Sequence, residues 1–378
     1  MSNYKPIGGK LLTKPFIVMM ALAGIAGILL LQRFLFGLGA VTNLSDGYPW
    51  GLWIVYDVLT GTTIACGGYA MALLVYVLNK GKYHPLVRAA LMTSMFGYTL
   101  AGISIFIDVG RYWQIYNILL PKYVNLNSIM FEVAFCVTTY ILVLWMEFTP
   151  VFLEKWATPK AKAKMEKIIF IFIAFGVLLP TMHQSSLGTL MVIAGDKLAA
   201  LWQTGWLPIT FLLSALVIGF GMVIFESYYS SVAFKRPLET HLLSKMSKFI
   251  GGVLVLYIIF RYGDLIWRGA LKDAFAGDVN GWMFIIETIL FIIPLIILFK
   301  EKLRNNAQYL FWAGVSMVLA GAILRFNTYL VGFSPGPGWH YFPSVSEILI
   351  TLGIISAEIM AYLVFVKKLP VLPVIEHN

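Results

Sequence analysis

Residues 168–191 read IIFIFIAFGVLLPTMHQSSLGTLM. A membrane helix needs about 20 predominantly apolar residues, and this run supplies them without one Asp, Glu, Lys or Arg. Its second half is nevertheless polar, with Thr181, His183, Gln184, Ser185 and Ser186 in close succession. Polar groups facing lipid are costly, and ionisable ones inside membrane spans turn towards the bundle interior or a cavity. Of the five histidines, His183 alone lies in an apolar run. The stretch therefore reads as a transmembrane helix with a polar inner face.

Working outward, nine more runs have the same character. The expected spans are roughly 15–39, 49–79, 87–113, 125–148, 165–191, 207–232, 247–269, 280–300, 306–331 and 345–367. The connections between them are too short for a soluble domain. Sixty per cent of residues are hydrophobic and 12% charged, with a mean hydropathy of +0.82, whereas soluble domains carry about 25% charged residues. The fold class is an all-α integral membrane protein of about ten helices, forming one membrane domain over 1–378. The first apolar run is long enough to remain as a helix, and no short signal with a cleavage site is evident.

The net charge of +10 does not indicate a nucleic-acid partner, because position explains it. Twenty of the 28 Lys and Arg fall at the N-terminus, in the second, fourth, sixth and eighth loops and at the C-terminus. By the positive-inside rule those segments and both termini are cytoplasmic. The two cysteines, Cys66 and Cys136, lie in apolar runs and read as buried thiols. There is no CxxC, so no iron–sulfur cluster is expected in this chain.

A faint internal duplication runs through the apolar segments. Arg111-Tyr112 and Arg261-Tyr262 occupy corresponding places, as do Phe131-Glu132 and Ile286-Glu287, and His183 and Arg325. This divides the chain into two four-helix bundles, 49–191 and 207–331, flanked by the first and last helices; internal repeats are common in membrane carriers.

A helix rises about 1.5 Å per residue, so depth can be counted from the loops. Asp57, Asp108, Arg111, Glu132 and His183 come from four consecutive helices and fall at one level in the outer half of the membrane. A polar pocket is the economical reading of such a set. Each residue also has a plainer explanation. Asp108 and Arg111 have the spacing of a helical ion pair. Asp57 can bond Thr60 or Thr62, and His183 can bond Ser186 or a neighbouring helix. Glu132 has no nearby cation in sequence. Deeper lie Tyr98, Glu147, Glu226 and Glu358; Tyr98 and Glu226, together with Glu132 of the outer set, read as stations on a proton path. Gly67, Gly68, Gly97 and Gly102 permit close helix contact.

A bis-histidine haem needs two facing intramembrane histidines. His183 alone qualifies, so no haem is expected, and spacing supports no metal site. A quinone suits these residues better. Its ring carbonyls accept hydrogen bonds and its reduction consumes protons, roles open to His183 and a carboxyl group. Spacing alone does not separate this from ion or solute transport by a secondary transporter, or from a passive anchor.

The motifs resemble those of the NrfD/PsrC family. Pro49-Trp50-Gly51-Leu52-Trp53 with Asp57, Ala65-Cys66-Gly67-Gly68, Tyr83-His84-Pro85-Leu86-Val87-Arg88, Ile107-Asp108-Val109-Gly110-Arg111-Tyr112-Trp113 and Leu179-Pro180-Thr181-Met182-His183-Gln184-Ser185-Ser186 carry the likeness. So do Ile224-Phe225-Glu226, Phe275-Ala276-Gly277-Asp278 and Tyr341-Phe342-Pro343. Within the family they are most similar to the membrane subunits of nickel–iron hydrogenase-2 complexes. The resemblance covers nearly the whole chain. It implies a ten-helix subunit without a cofactor of its own in the bacterial inner membrane, not acting on hydrogen alone. Its partners would be a ferredoxin-like iron–sulfur subunit and the nickel–iron small and large subunits. It would pass electrons to menaquinone or ubiquinone near the periplasmic face. His183, Asp57, Asp108 and Arg111 are the candidate quinone residues; Tyr98, Glu132 and Glu226 match the family's proton-handling positions. Another quinone-linked molybdoenzyme or respiratory complex is the alternative.

Overall fold

The structure, a computed structural model, describes residues 4–156 and 158–373. The described residues form helices and connections, with two isolated β-bridges, Tyr4–Pro373 and Leu198–Phe333, and no strand. Ten helices are long and apolar enough to cross a membrane: α1 (Lys14–Phe36), α2 (Trp53–Val77), α3 (Gly81–Asp108), α4 (Ile129–Trp156), α5 (Pro159–Ile193), α6 (Leu207–Ala233), α7 (Thr240–Trp267), α8 (Val279–Phe299), α9 (Ala307–Val331) and α10 (Val345–Lys368). The ten expected spans form, with extensions where helix propensity outlasts hydropathy. The Lys- and Ala-rich segment before 165 joins α5, because Ala and Lys favour helix in water. Both cysteines are buried and neither is in a disulfide.

Helix α2 is irregular. It is π-helical over Trp53–Thr60, breaks at Cys66, and is π-helical again over Leu73–Val77. A third π-helical stretch, Asn327–Val331, ends α9. Such stretches shift the hydrogen-bond register and occur often at functional sites. Asp57 and Asn327 both lie on them.

The chain divides into two compact units, and three of the four divisions fall inside α2, α3 and α5, the fourth between α9 and α10. The first comprises the described parts of 1–62, 91–176 and 335–378. Here α1 lies along α10 so closely that a Cβ at Gly353 would stand 2.2 Å from Ala26 Cβ. Val41, Trp53, Ile107 and Ile350 form a buried cluster beside them. The start of α10 is fixed by a capping box between Ser344 and Glu347, which satisfies helix N–H groups that lack intrahelical partners. The same glutamate ties down the start of α2. Tyr341 Oη donates to Glu347 Oε1 at 2.6 Å and accepts from Leu52 N at 2.6 Å, while Trp53 Nε1 donates to Glu347 O at 3.2 Å. Gly51 is required there, since a Cβ would meet Tyr341 Oη at 2.3 Å.

The second unit comprises 63–90 and 177–334. Helix α6 is its centre, and small residues let its backbone approach three neighbours, the usual device for helix packing in lipid. A Cβ on Gly219 would stand 2.5 Å from Cys66 O, one on Gly314 2.8 Å from Gly221 O, and one on Gly188 2.5 Å from Leu207 O. Of the glycines expected to allow close contact, Gly67 lies against Gly219 O in this unit, and Gly102 against Ile141 in the first.

Candidate functional site

In the first unit Asp57 is buried, and its Oδ2 has no hydrogen-bond partner. The hydroxyls of Ser104 on α3 and Thr351 on α10 are close enough to favour its charged form as hydrogen-bond partners. Glu358, two turns further along α10, is within electrostatic reach. Asp108 is the last residue of α3, and its Oδ1 is likewise buried and unpartnered. Buried polar groups are normally satisfied by protein or water, and here a carboxyl group and two hydroxyls lie beside one another.

Because α3 stops at Asp108, the helical i,i+3 geometry expected for Asp108 and Arg111 does not form. Arg111 is exposed ahead of a 3₁₀ turn, Tyr112–Leu119. The cation near Asp108 is Arg33 of α1. Arg33 donates from Nε to Ile107 O at 2.6 Å and from Nη2 to Val109 O at 2.7 Å, clasping the end of α3. Its charge within an apolar run was the available signal, but its partner lies far away in sequence. Tyr98 is fully buried and packs edge-on to Tyr140 at 4.5 Å. Glu132 lies half-buried in the first turn of α4. Glu147 Oε1 is buried and unpartnered, and a Cβ on Gly176 would stand 2.1 Å from it.

In the second unit His183 is completely buried, as is Gln184. A chain of hydrogen bonds reaches them from Arg325 on α9. Arg325 Nε donates to Thr63 Oγ1 at 3.0 Å, and Thr63 Oγ1 donates to Gln184 Oε1 at 3.2 Å. Gln184 Nε2 then lies 3.2 Å from His183 Nε2, and His183 Nδ1 lies 2.9 Å from Leu179 O. The carbonyl of Leu179 only accepts, so it fixes the proton on the ring. The amide nitrogen faces the imidazole, Nε2 accepts, and Nδ1 carries the proton given to Leu179 O. Arg325 also donates to Ser214 Oγ at 3.0 Å and to Phe211 O and Gly321 O at 3.3 Å each. Thr63 and Arg325 were not among the expected site residues, since nothing local in sequence connects them to His183. Glu226 on α6 is buried at 8% exposure; its neighbour Ser227 donates to Glu239 Oε2 at 2.9 Å. Thus Asp57, Tyr98, Asp108, Arg111 and Glu132 belong to the first unit, and His183 and Glu226 to the second.

Comparison with known proteins gives the chain its relatives. Residues 40–333 match the family described as polysulphide reductase, NrfD. The chain is 45% identical, over 99% of its length and 96% of the relative's, to the probable Ni/Fe-hydrogenase 2 b-type cytochrome subunit of Escherichia coli strain K12. It is 26% identical, over 89% of its length and 86% of the relative's, to the integral membrane subunit of menaquinone reductase from Nitratidesulfovibrio vulgaris. It is 22% identical, over 88% and 87%, to the Hdr-like menaquinol oxidoreductase integral membrane subunit of Archaeoglobus fulgidus.

The first of these overturns one expectation. The chain was read as holding no haem, yet a relative this similar is named a b-type cytochrome subunit, and the exclusion of haem is withdrawn. Haem iron commonly takes a histidine as axial ligand. The bonding of His183 does not fit that role as it stands, with one ring nitrogen facing Leu179 O and the other the Gln184 amide; no step below runs through a haem. With ten apolar helices, and a family match spanning most of them, the chain is a multi-pass integral membrane protein that belongs to the polysulphide reductase NrfD family.

Proposed function

We propose that this chain is the quinone-reactive membrane subunit of a nickel–iron hydrogenase complex. It passes electrons between an iron–sulfur subunit and menaquinone or ubiquinone, with coupled proton transfer. The likeness to the hydrogenase 2 subunit and to two subunits named for menaquinone or menaquinol supports this reading. The observation that carries it is the pair of carboxyl groups, buried Asp57 and half-buried Asp108, each with a buried oxygen left without a partner.

In this reading Asp57, Asp108, Arg111 and His183 act on the quinone, and Tyr98, Glu132 and Glu226 move its protons. A quinone carbonyl accepts hydrogen bonds, and the Ser104 and Thr351 hydroxyls beside Asp57 can donate them. Partners are a ferredoxin-like iron–sulfur subunit and the hydrogenase small and large subunits. The Lys and Arg distribution supports a bacterial inner-membrane orientation with both termini cytoplasmic and quinone reacting towards the periplasm. The same reading keeps 49–191 and 207–331 as two related four-helix bundles.

The test is His183→Ala in the intact complex. Hydrogen-dependent quinone reduction is expected to be lost while reduction of an artificial dye by the hydrogenase subunits continues. Quinone turnover at the wild-type rate would refute the role of His183. The likeness to the menaquinone reductase subunit supports a second reading, service to another quinone-linked enzyme. Co-purification with nickel–iron subunits, or with others, decides between the two.

A further inference from the structure

Two motifs of the sequence, Pro49-Trp50-Gly51-Leu52-Trp53 and Tyr341-Phe342-Pro343, have no role in that reading, yet the first unit brings them together. Tyr341 Oη accepts from Leu52 N at 2.6 Å and donates to Glu347 Oε1 at 2.6 Å. The carboxylate does not depend on this bond alone, because its Oε2 accepts from Asn43 N at 3.0 Å and from Ser344 N at 2.7 Å. Glu347 is thus a fixed post, 1% exposed. Trp53 Nε1 donates to Glu347 O at 3.2 Å, so two successive residues of α2 are tied, one through Tyr341 and one directly, to a single residue of α10. The Tyr341 ring is stacked on Tyr48, 5.9 Å away.

These ties reach Asp57 through the helix. The first N–H groups of a helix have no partner within it, and the Tyr341 hydroxyl supplies one from outside. A helix held at one point can still turn about its axis, whereas the Leu52 amide and the Trp53 indole hold α2 at two. Trp53 lies in a buried cluster with Ile107 of α3 and Ile350 of α10. Four residues on, Asp57 meets the same two helices at Ser104 and Thr351. The stretch that carries both residues is π-helical, with a shifted hydrogen-bond register, so the way it starts decides the face on which Asp57 emerges. We propose that the Tyr341 hydroxyl is a positioning group for Asp57: by holding the Leu52 amide it fixes the rotation of α2 and hence the direction of the carboxyl group. Gly51 serves the same end, because a Cβ there would run into Tyr341 Oη. The effect on quinone rests on the reading of Asp57 given above; the placement of Asp57 does not.

The experiment compares Tyr341→Phe with the unaltered chain in the intact complex in lipid nanodiscs. The variant keeps the ring against Tyr48 and leaves Glu347 its bonds to Asn43 and Ser344, so Leu52 alone loses its partner. The infrared carboxyl band of Asp57, identified as the one missing in Asp57→Asn, is expected to shift as the group leaves Ser104 and Thr351. Displacing a reacting group by 1 Å can cost about a hundredfold in rate, so hydrogen-dependent quinone reduction is expected to fall roughly ten- to a hundredfold. Reduction of an artificial dye by the hydrogenase subunits is expected to continue unchanged. Gly51→Ala, which crowds the hydroxyl without removing it, is expected to shift the same band. A band unmoved in Tyr341→Phe would overturn the inference, whatever happens to the rate. A shifted band with quinone reduction at the wild-type rate would uphold the positioning of Asp57 and refute the quinone reading instead.

Discussion

At the scale of single residues, Thr63 is the joint on which the bonding of His183 turns. It accepts from Arg325 and donates to Gln184, so Thr63→Val removes both bonds with little change in shape. The buried Arg325 Nε–H then lacks its partner, at a cost of roughly 1–3 kcal/mol, and the Gln184 amide is free to turn over. In nitrogen-15 spectra of histidine-labelled protein, the His183 Nε2 signal is expected to shift in Thr63→Val and to stay in place in Thr63→Ser, while Nδ1–H, held by Leu179 O, is kept in both. A spectrum unaltered by valine would disconnect Arg325 from the imidazole. The ends of this chain were visible in sequence, because His183 and Arg325 stand out as polar in apolar runs. Its middle was not. Threonines are ordinary in membrane helices, and only packing brings Thr63 to Gln184. The same holds for Ser104 and Thr351 beside Asp57, and for Arg33, whose partners at the end of α3 are over 70 residues away.

At the scale of helices, hydropathy located all ten spans but was blind to what happens within them. It reports how apolar a segment is, not which carbonyl each N–H meets, so the π-helical stretches of α2 and α9 left no trace in it. Glycine spacing was more informative: Gly67 did mark the crossing of α2 and α6, where a Cβ added to it would lie 3.5 Å from Gly219 O. The tighter member of that crossing is Gly219, whose added Cβ would meet the Cys66 carbonyl at 2.5 Å. Backbone cannot swing aside as a side-chain end can. Gly219→Ala is therefore expected to destabilise the protein by roughly 1–3 kcal/mol, the usual cost of overpacking. Gly252→Ala, where nothing lies within 4 Å, serves as the control. Thermal unfolding in detergent checks the pair, and equal midpoints would show that the α2–α6 contact yields.

At the scale of the whole molecule, the residues proposed to act on quinone and protons were recognisable in sequence because a charged group in lipid needs a reason to be there. What they bond to emerges only from the packed helices, as with Asp108, whose nearby cation comes from α1 and not from the next turn of its own chain. The expectation that failed at this scale was the exclusion of haem, which counted intramembrane histidines and was overturned by the name of a 45% identical relative. The central claim is that quinone reacts at the unsatisfied carboxyl groups of the first unit. The most direct measurement is a map of the hydrogen-reduced complex with quinone bound. The account expects a ring carbonyl within about 2.6–3.2 Å of the Asp57 carboxyl group or of the Ser104 and Thr351 hydroxyls beside it. A quinone ring bound elsewhere, with Asp57 bonded only to protein, would contradict it.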